Sequence, residues 1–127
     1  MIVVDASVIV RGLDADGPAR MLLVDGDPRA PHVADQEVAQ ALRGQVIRGV
    51  MSAEAAQTRL LRYLRLGLRR YPSVGLLPRI WSLRENLTAY DATYVALAEA
   101  LDCPLATADL RLAEAPGRTC EIIRVAA

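Results

Sequence analysis

Four acidic residues that lie far apart in the chain could together bind a divalent metal ion: Asp5, Glu37, Asp91 and Asp109. Mg²⁺ and Mn²⁺ are hard ions that prefer carboxylate and water oxygens as ligands. One or two such ions can ionise a water molecule and neutralise a phosphate group during an in-line displacement. The chain has only one histidine, which excludes chemistry that depends on an acid–base pair of histidines.

Asp5 and Asp109 both stand where a predicted strand ends. Residues 2–4 form a short β-branched apolar run directly before Asp5, and residues 105–108 precede Asp109. In open parallel sheets, ligands bind beyond the carboxyl ends of the strands. We therefore expect Asp5 and Asp109 at the same edge of the sheet, provided that their strands are neighbours.

Glu37 and Asp91 each fall in the first turn of a predicted helix that could begin at that same edge. Both acids also have a purely structural interpretation, since Glu37 could complement the helix dipole and Asp91 could complete a variant capping box with Thr88. Asp109 could likewise cap the short helix that follows it. Asp5 is the hardest to explain in this way, because a carboxylate beside a buried apolar strand costs stability unless it is paired or metal-bound.

The elements that must position these acids alternate along the chain. We predict strands at residues 2–4, 30–33, 104–107 and 121–125, with residues 74–77 extended or forming a further short strand. We predict helices at residues 7–13, 18–24, 36–48, 53–70, 78–84, 89–101 and 110–115. This alternation predicts an α/β fold with three α/β/α layers, right-handed crossovers and a central parallel sheet of four to five strands.

Two of these helices carry more specific expectations. Asp35 is expected to cap the helix over residues 36–48. The helix over residues 53–70 is expected to pack through a leucine face, formed by Leu60, Leu61, Leu64 and Leu68.

Composition limits the possible functions. The 127 residues suit one domain, residues 1–127, and the 53% of apolar residues excludes a disordered chain. The chain contains no lysine, which excludes a P-loop and a Schiff-base enzyme. The formal net charge is zero and does not decide for or against nucleic-acid binding. Two cysteines make no disulfide framework, and without a signal peptide or a long apolar run we expect a cytoplasmic protein.

Four segments resemble, in order, the motifs of PIN domains, and together they cover essentially the whole chain. They are Val-Val-Asp-Ala-Ser-Val at residues 3–8, Glu-Val-Ala-Gln-Ala-Leu-Arg at 37–43, Leu-Thr-Ala-Tyr-Asp-Ala-Thr-Tyr-Val-Ala-Leu-Ala at 87–98 and Leu-Ala-Thr-Ala-Asp-Leu-Arg-Leu-Ala at 105–113. The third segment is the most specific. The size of the chain and the lack of appended domains resemble the VapC-type toxins of toxin–antitoxin pairs.

The resemblance implies an endoribonuclease that depends on Mg²⁺ (or Mn²⁺), cleaves RNA, forms a homodimer and is inhibited by a small antitoxin protein. It also implies that the four acids, Asp5, Glu37, Asp91 and Asp109, are catalytic metal ligands, directly or through water. Ser7 and Thr107 would then be hydroxyls that orient Asp5 and Asp109.

RNA could be steered to this site by arginines close to the acids in the expected fold: Arg11, Arg43 and Arg111. Two other functions stay open. Another α/β phosphohydrolase, such as a haloacid-dehalogenase-like phosphatase, would need a second acid two residues after Asp5, where Ser7 stands. A catalytically silent PIN-like binding module is the second alternative, and the presence of all four acids argues against it.

Overall fold

A five-stranded, entirely parallel sheet forms the middle layer of the computed structural model, which describes residues 1–126. The strands are β1 Ile2–Val4, β2 Pro28–Pro31, β3 Arg69–Tyr71, β4 Leu105–Thr107 and β5 Ile122–Arg124. The helices are α1 Ala6–Asp14, α2 Pro18–Asp25, α3 Ala34–Ile47, α4 Ala53–Leu64, α5 Leu77–Ser82, α6 Ala89–Leu101 and α7 Leu110–Glu114. The expected α/β architecture with a parallel sheet is confirmed.

The strand order β3-β2-β1-β4-β5 makes β1 the central strand. The chain leaves β1 towards β2 on one side and later returns to β4 on the other, so the topological switch point lies between β1 and β4. Val3 is paired with Leu105 and Val4 with Ala106. This register brings the residues that follow the two strands to a common edge, where a ligand site is expected.

The central strands are apolar because both of their faces are covered. Every residue of β1 and β4 is buried, as parallel strands between two helical layers require. Helix α6 runs through this core, and seven consecutive residues from Ala92 to Ala98 are buried. Within residues 1–126, none of the helices combines the length and the apolar character that crossing a bilayer requires.

The predicted helix over residues 53–70 was wrong for its last six residues. Helix α4 ends at Leu64, and residues 69–71 instead form β3, which pairs with β2 at one edge of the sheet. The leucine face is also largely exposed, since Leu60, Leu61 and Leu64 lie at the surface and only Leu68 is buried. An edge strand needs few apolar residues, and the sequence Arg-Arg-Tyr therefore gave no strand signal.

Two smaller predictions were also wrong. Residues 74–76 form a 3-10 turn rather than a strand, and the turn leads into α5 with Pro78 in its first turn. Helix α3 begins without a side-chain cap, because Asp35 lies inside its first turn. The Asp35 carboxylate instead accepts hydrogen bonds from the Tyr63 hydroxyl at 2.5 Å and from the Arg70 guanidinium at 2.8 Å.

Candidate functional site

Asp5 is the buried centre of the site. It follows β1, and its backbone N–H donates to the Ala106 carbonyl of β4 at 3.2 Å. Its carboxylate caps α1 by accepting from the Val8 N–H at 3.1 Å. The Ser7 hydroxyl donates to Oδ1 at 2.5 Å, and the Thr107 hydroxyl donates to Oδ2. Three donors thus fix this carboxylate at the switch point of the sheet.

The two hydroxyls are themselves fixed by backbone groups. The Ser7 oxygen accepts from the Ala108 N–H at 2.9 Å, and the Thr107 oxygen accepts from the Asp109 N–H at 2.9 Å. Each hydroxyl therefore has its proton directed at Asp5. Such outer hydrogen bonds are the usual means of orienting a metal-binding carboxylate.

The other three acids come from three different elements. Glu37 lies in the first turn of α3, and the buried Tyr94 of α6 donates a hydrogen bond from its hydroxyl to Glu37 Oε1 at 2.5 Å. Asp91 lies in the first turn of α6, where the Thr88 hydroxyl accepts from its N–H at 3.2 Å. Asp109 follows β4 and caps α7 through the Arg111 N–H at 2.9 Å.

The charges of neighbouring acids act on three of the four carboxylates. Burial is the main cause that raises the pKa of Asp5, and the charge of Asp109 raises it further against the lowering effect of the hydrogen bonds. Burial, followed by the charges of Asp91 and Asp5, raises the pKa of Glu37. Burial and the charge of Asp109 raise the pKa of Asp91. Each of the four acids that the sequence singled out therefore feels, or contributes to, the charge of another one, and their shared role as ligands stays a prediction.

The donor set fits a hard divalent ion, because every member is a carboxylate. Mutual repulsion and burial both oppose ionisation of Asp5, Glu37 and Asp91, and a cation among them would reverse that effect. Within residues 1–126, however, no three His, Cys, Asp or Glu side chains are arranged to hold one ion. Mg²⁺ commonly takes one or two carboxylates directly and keeps several waters, so a direct ligand from each of the four acids is not required.

The structure separates the three arginines that the sequence proposed as RNA contacts. Arg111 is highly exposed and lies 3.4 Å from the Asp109 carboxylate, and its charge acts to lower the pKa of Asp91. Arg11 is exposed on α1 and lines a pocket that also includes Asp109. Arg43 lies instead on an apolar groove between α3 and α4.

Sequence reasoning missed Tyr94 as a partner of Glu37. The position of Tyr94 three residues after Asp91 places both side chains near the same face of the helix, and this spacing was the available signal.

The fold and the site together define an α/β domain with a carboxylate-rich site at the carboxyl edge of its sheet. The chain belongs to the PIN domain family, whose model matches residues 2–118. It is 48% identical over 122 residues to ribonuclease VapC9 of Mycobacterium tuberculosis, and the match covers 96% of each chain.

Two solved structures share the fold. The crystal structure of a Pyrobaculum aerophilum protein matches with a TM-score of 0.71 and 23% identity, over 95% of this chain and 81% of that one. The crystal structure of the sarcin-ricin-loop-cleaving toxin VapC20 of Mycobacterium tuberculosis matches with a TM-score of 0.57 and 18% identity, over 83% and 87% of the two chains.

Proposed function

We propose that this protein is a VapC-like toxin, an endoribonuclease that hydrolyses phosphodiester bonds in RNA. The observation that carries this proposal is the buried Asp5 carboxylate at the switch point of the sheet, held by Ser7 and Thr107 and electrostatically opposed by other acids, in a chain that is 48% identical to a VapC ribonuclease. A phosphatase of the haloacid-dehalogenase type lacks support, because Ser7 holds Asp5 in place of a second acid.

The cofactor in this proposal is Mg²⁺ or Mn²⁺, with Asp5, Glu37, Asp91 and Asp109 as its ligands either directly or through bridging water molecules. When bound, the ion would supply an ionised water and neutralise charge on the phosphate. Ser7 and Thr107 keep the Asp5 carboxylate directed at the site. Arg11 and Arg111 provide positive charge on either side of Asp109 for the phosphates of the substrate.

A cleavage assay on total RNA tests this function. Wild-type protein should cleave RNA with Mg²⁺ and lose the activity in EDTA, and Asp5→Asn should be at least about 100-fold slower because a charged ligand is lost. Asp102→Asn is the matched control, since Asp102 is exposed and its left-handed backbone suits asparagine equally well. Metal-independent cleavage, or equal rates for wild type and Asp5→Asn, would refute the proposal.

The proposed inhibitory partner is an antitoxin that lays an amphipathic helix on the groove between α3 and α4. This groove is lined by apolar side chains that include Leu42, Ile47 and Leu60, and Ile47 is exposed. Ile47→Arg should prevent co-purification of the co-expressed antitoxin, whereas Val24→Arg, at an exposed valine of α2, should not. Equal recovery of the antitoxin with both variants would exclude the groove.

The proposed assembly is a homodimer. It is supported by exposed apolar residues in α5 and in the 3-10 turn that precedes it. Val74, Leu77 and Trp81 are 73%, 53% and 66% exposed. Such a cluster is typical of an interface. Sedimentation equilibrium should give a dimer for wild type and a monomer for Trp81→Glu, and a wild-type monomer would exclude this assembly.

A further inference from the structure

A pocket of about 310 Å³ lies directly beside the carboxylates. It is lined by Ser7, Val10 and Arg11 of α1, by Gln45 of α3 and by Asp109, which follows β4. Because Ser7 and Asp109 belong both to the pocket and to the site, a ligand in the pocket would touch the proposed metal-binding group. Its volume is at the small end of the roughly 300–1,000 Å³ of ligand pockets, which suits one base rather than several nucleotides.

The Gln45 side chain lacks a hydrogen-bond partner at this pocket. Its Oε1 atom is shielded from solvent and accepts no hydrogen bond. Three other buried atoms in residues 1–126 share this state, and all are guanidinium Nε atoms, so Gln45 supplies the one unpaired acceptor in that part of the chain. Native proteins leave few such groups unpaired. A rotation about the last side-chain bond of Gln45 would present its amide to a donor in the pocket.

The remaining walls suit a base attached to a phosphate chain. Val10 offers an apolar surface for the face of a ring. Arg11 is exposed at the rim and makes no salt bridge among the residues that the structure describes. Asp14, the last residue of α1, also lines the pocket, and its carboxylate is already paired with the Arg59 guanidinium at 2.8 Å. The positive charge of Arg11 is therefore available to a phosphate.

We propose that this pocket binds the nucleobase next to the scissile phosphodiester and that Gln45 determines the sequence preference of cleavage. A glutamine amide combines one acceptor with two donors, and it recognises a base edge where an amino group lies beside a ring-nitrogen acceptor. Adenine and cytosine have such an edge, and uracil and guanine offer the amide an equivalent pair, a ring N–H beside a carbonyl. Unpaired bases of single-stranded RNA can be turned into a pocket of this kind. The inference rests on the proposed ribonuclease function and adds a substrate preference to it.

The test uses an RNA library with random bases around the cleavage site, incubated with the protein and Mg²⁺, followed by sequencing of the product ends. Wild type should show an uneven distribution of bases at one fixed position next to the cut. Gln45→Met has a similar volume without the amide and should reduce this preference at least about fivefold. Gln57→Met, at an exposed glutamine of α4, should keep the wild-type profile.

A second variant narrows the pocket from the side of α1. Val10→Phe should weaken the same preference, and it decides the question if thermal unfolding shows that Gln45→Met does not fold. The subsite is overturned if wild type cleaves but shows no preference of this kind, or if both folded variants retain it. If wild type does not cleave RNA at all, the proposed function itself fails, so the two failures are distinguishable.

Discussion

One carboxylate, that of Asp5, has both a structural and a proposed chemical role. It caps α1 through Val8, and it is bound by the hydroxyls of Ser7 and Thr107 beside the other acids. Asp109 likewise caps α7 and borders the site. The structural and functional interpretations of these acids are therefore compatible, because a cap fixes the carboxylate at the helix start while its remaining lone pairs face the site.

The stability of the metal-free protein should depend on pH through Asp5. Its pKa lies above the unfolded value of about 3.8 because burial disfavours the charge. A raised pKa gives stability that is complete below the unfolded pKa and is lost as pH rises through the folded pKa. In EDTA, the difference in unfolding free energy should therefore shift in favour of Asp5→Asn as pH rises from about 4 to 8.

Urea unfolding of both proteins across this pH range measures that difference. Addition of Mg²⁺ at pH 8 should then stabilise wild type more than Asp5→Asn, because the ion neutralises the repulsion. A difference that stays constant with pH, together with no effect of Mg²⁺ on either protein, would contradict this account.

Removing the Tyr94 hydroxyl should weaken metal binding without unfolding the protein. Tyr94→Phe keeps the buried ring and loses the hydrogen bond to Glu37. Since outer hydrogen bonds of metal ligands contribute about 10–100-fold in affinity, the Mg²⁺ concentration for half-maximal cleavage should rise at least about tenfold.

The matched control is Tyr63→Phe, because the Tyr63 hydroxyl also donates to an acid of α3, Asp35, at 2.5 Å. Tyr63→Phe should leave the Mg²⁺ dependence unchanged. The same Mg²⁺ dependence in both variants and wild type would exclude a positioning role for Tyr94.

The four acids were predictable because each follows a recognisable local pattern. Asp5 and Asp109 end apolar strands, and the other two begin helices. The spacing of Tyr94 from Asp91 was a signal for the shared helix face, but the partner Glu37 was not predictable, since the contact joins α6 to α3. The position of Gln45 beside α1 likewise depends on packing between helices. The arginines show the same limit, since Arg43 was expected near the acids and lies on a different groove.

Helices α1 and α2 pack closely against each other at Gly12, where α1 has no side chain. A Cβ atom added at Gly12 would lie 2.5 Å from Leu23 Cδ1 and 3.2 Å from two backbone atoms of α2. Asp5 caps the same helix α1, and Ser7 in its first turn accepts a hydrogen bond from the Ala108 N–H after β4.

Gly12→Ala should therefore destabilise the protein by about 1–3 kcal/mol through overpacking. Gly44→Ala is the matched comparison, since its Cβ would meet only the flexible end of Arg48 within α3. That change should stabilise the helix by about 0.5–1 kcal/mol. Urea unfolding measures both, and a Gly12→Ala protein as stable as wild type would show that the two helices separate without cost.

The sequence predicted most of the elements but failed where apolar residues are exposed. The leucines of α4 have helical spacing and suggested a continuous buried helix, whereas Leu61 and Leu64 face solvent and the helix stops before Gly67. The short edge strand β3 follows this glycine. Residues 69–71 form a strand because they pair with β2, and this long-range pairing cannot be predicted from the local sequence.

Over the whole molecule, balanced charge conceals a local separation. Fifteen basic and fifteen acidic residues cancel, yet the buried Asp5 lies among acidic charges while Arg11 and Arg111 both lie near Asp109. An RNA phosphate would therefore meet an unfavourable field unless cations are present at the acids. The zero net charge of the whole chain therefore does not indicate whether this part of the surface can bind RNA.

RNA affinity should depend on salt through these two arginines. Measured in the inactive Asp5→Asn background, the slope of log K against log salt should fall by about 0.7 for Arg11→Gln and for Arg111→Gln, as expected for each lost phosphate contact with a single strand. Arg65→Gln, at an exposed arginine just after α4, should leave the slope unchanged. Fluorescence anisotropy with a labelled RNA gives the slopes, and equal slopes for all three variants would exclude these contacts.

The most direct test of the central claim is the binding of Mn²⁺ to the protein itself, measured by electron paramagnetic resonance of the free ion. Wild type and the control Asp102→Asn should bind Mn²⁺ with the same affinity. Binding should weaken at least about tenfold in each of Glu37→Gln, Asp91→Asn and Asp109→Asn, because each variant removes one of the four proposed carboxylate ligands. Wild-type affinity in any of these three folded variants would contradict the assignment of that carboxylate, and in all three it would overturn the metal site.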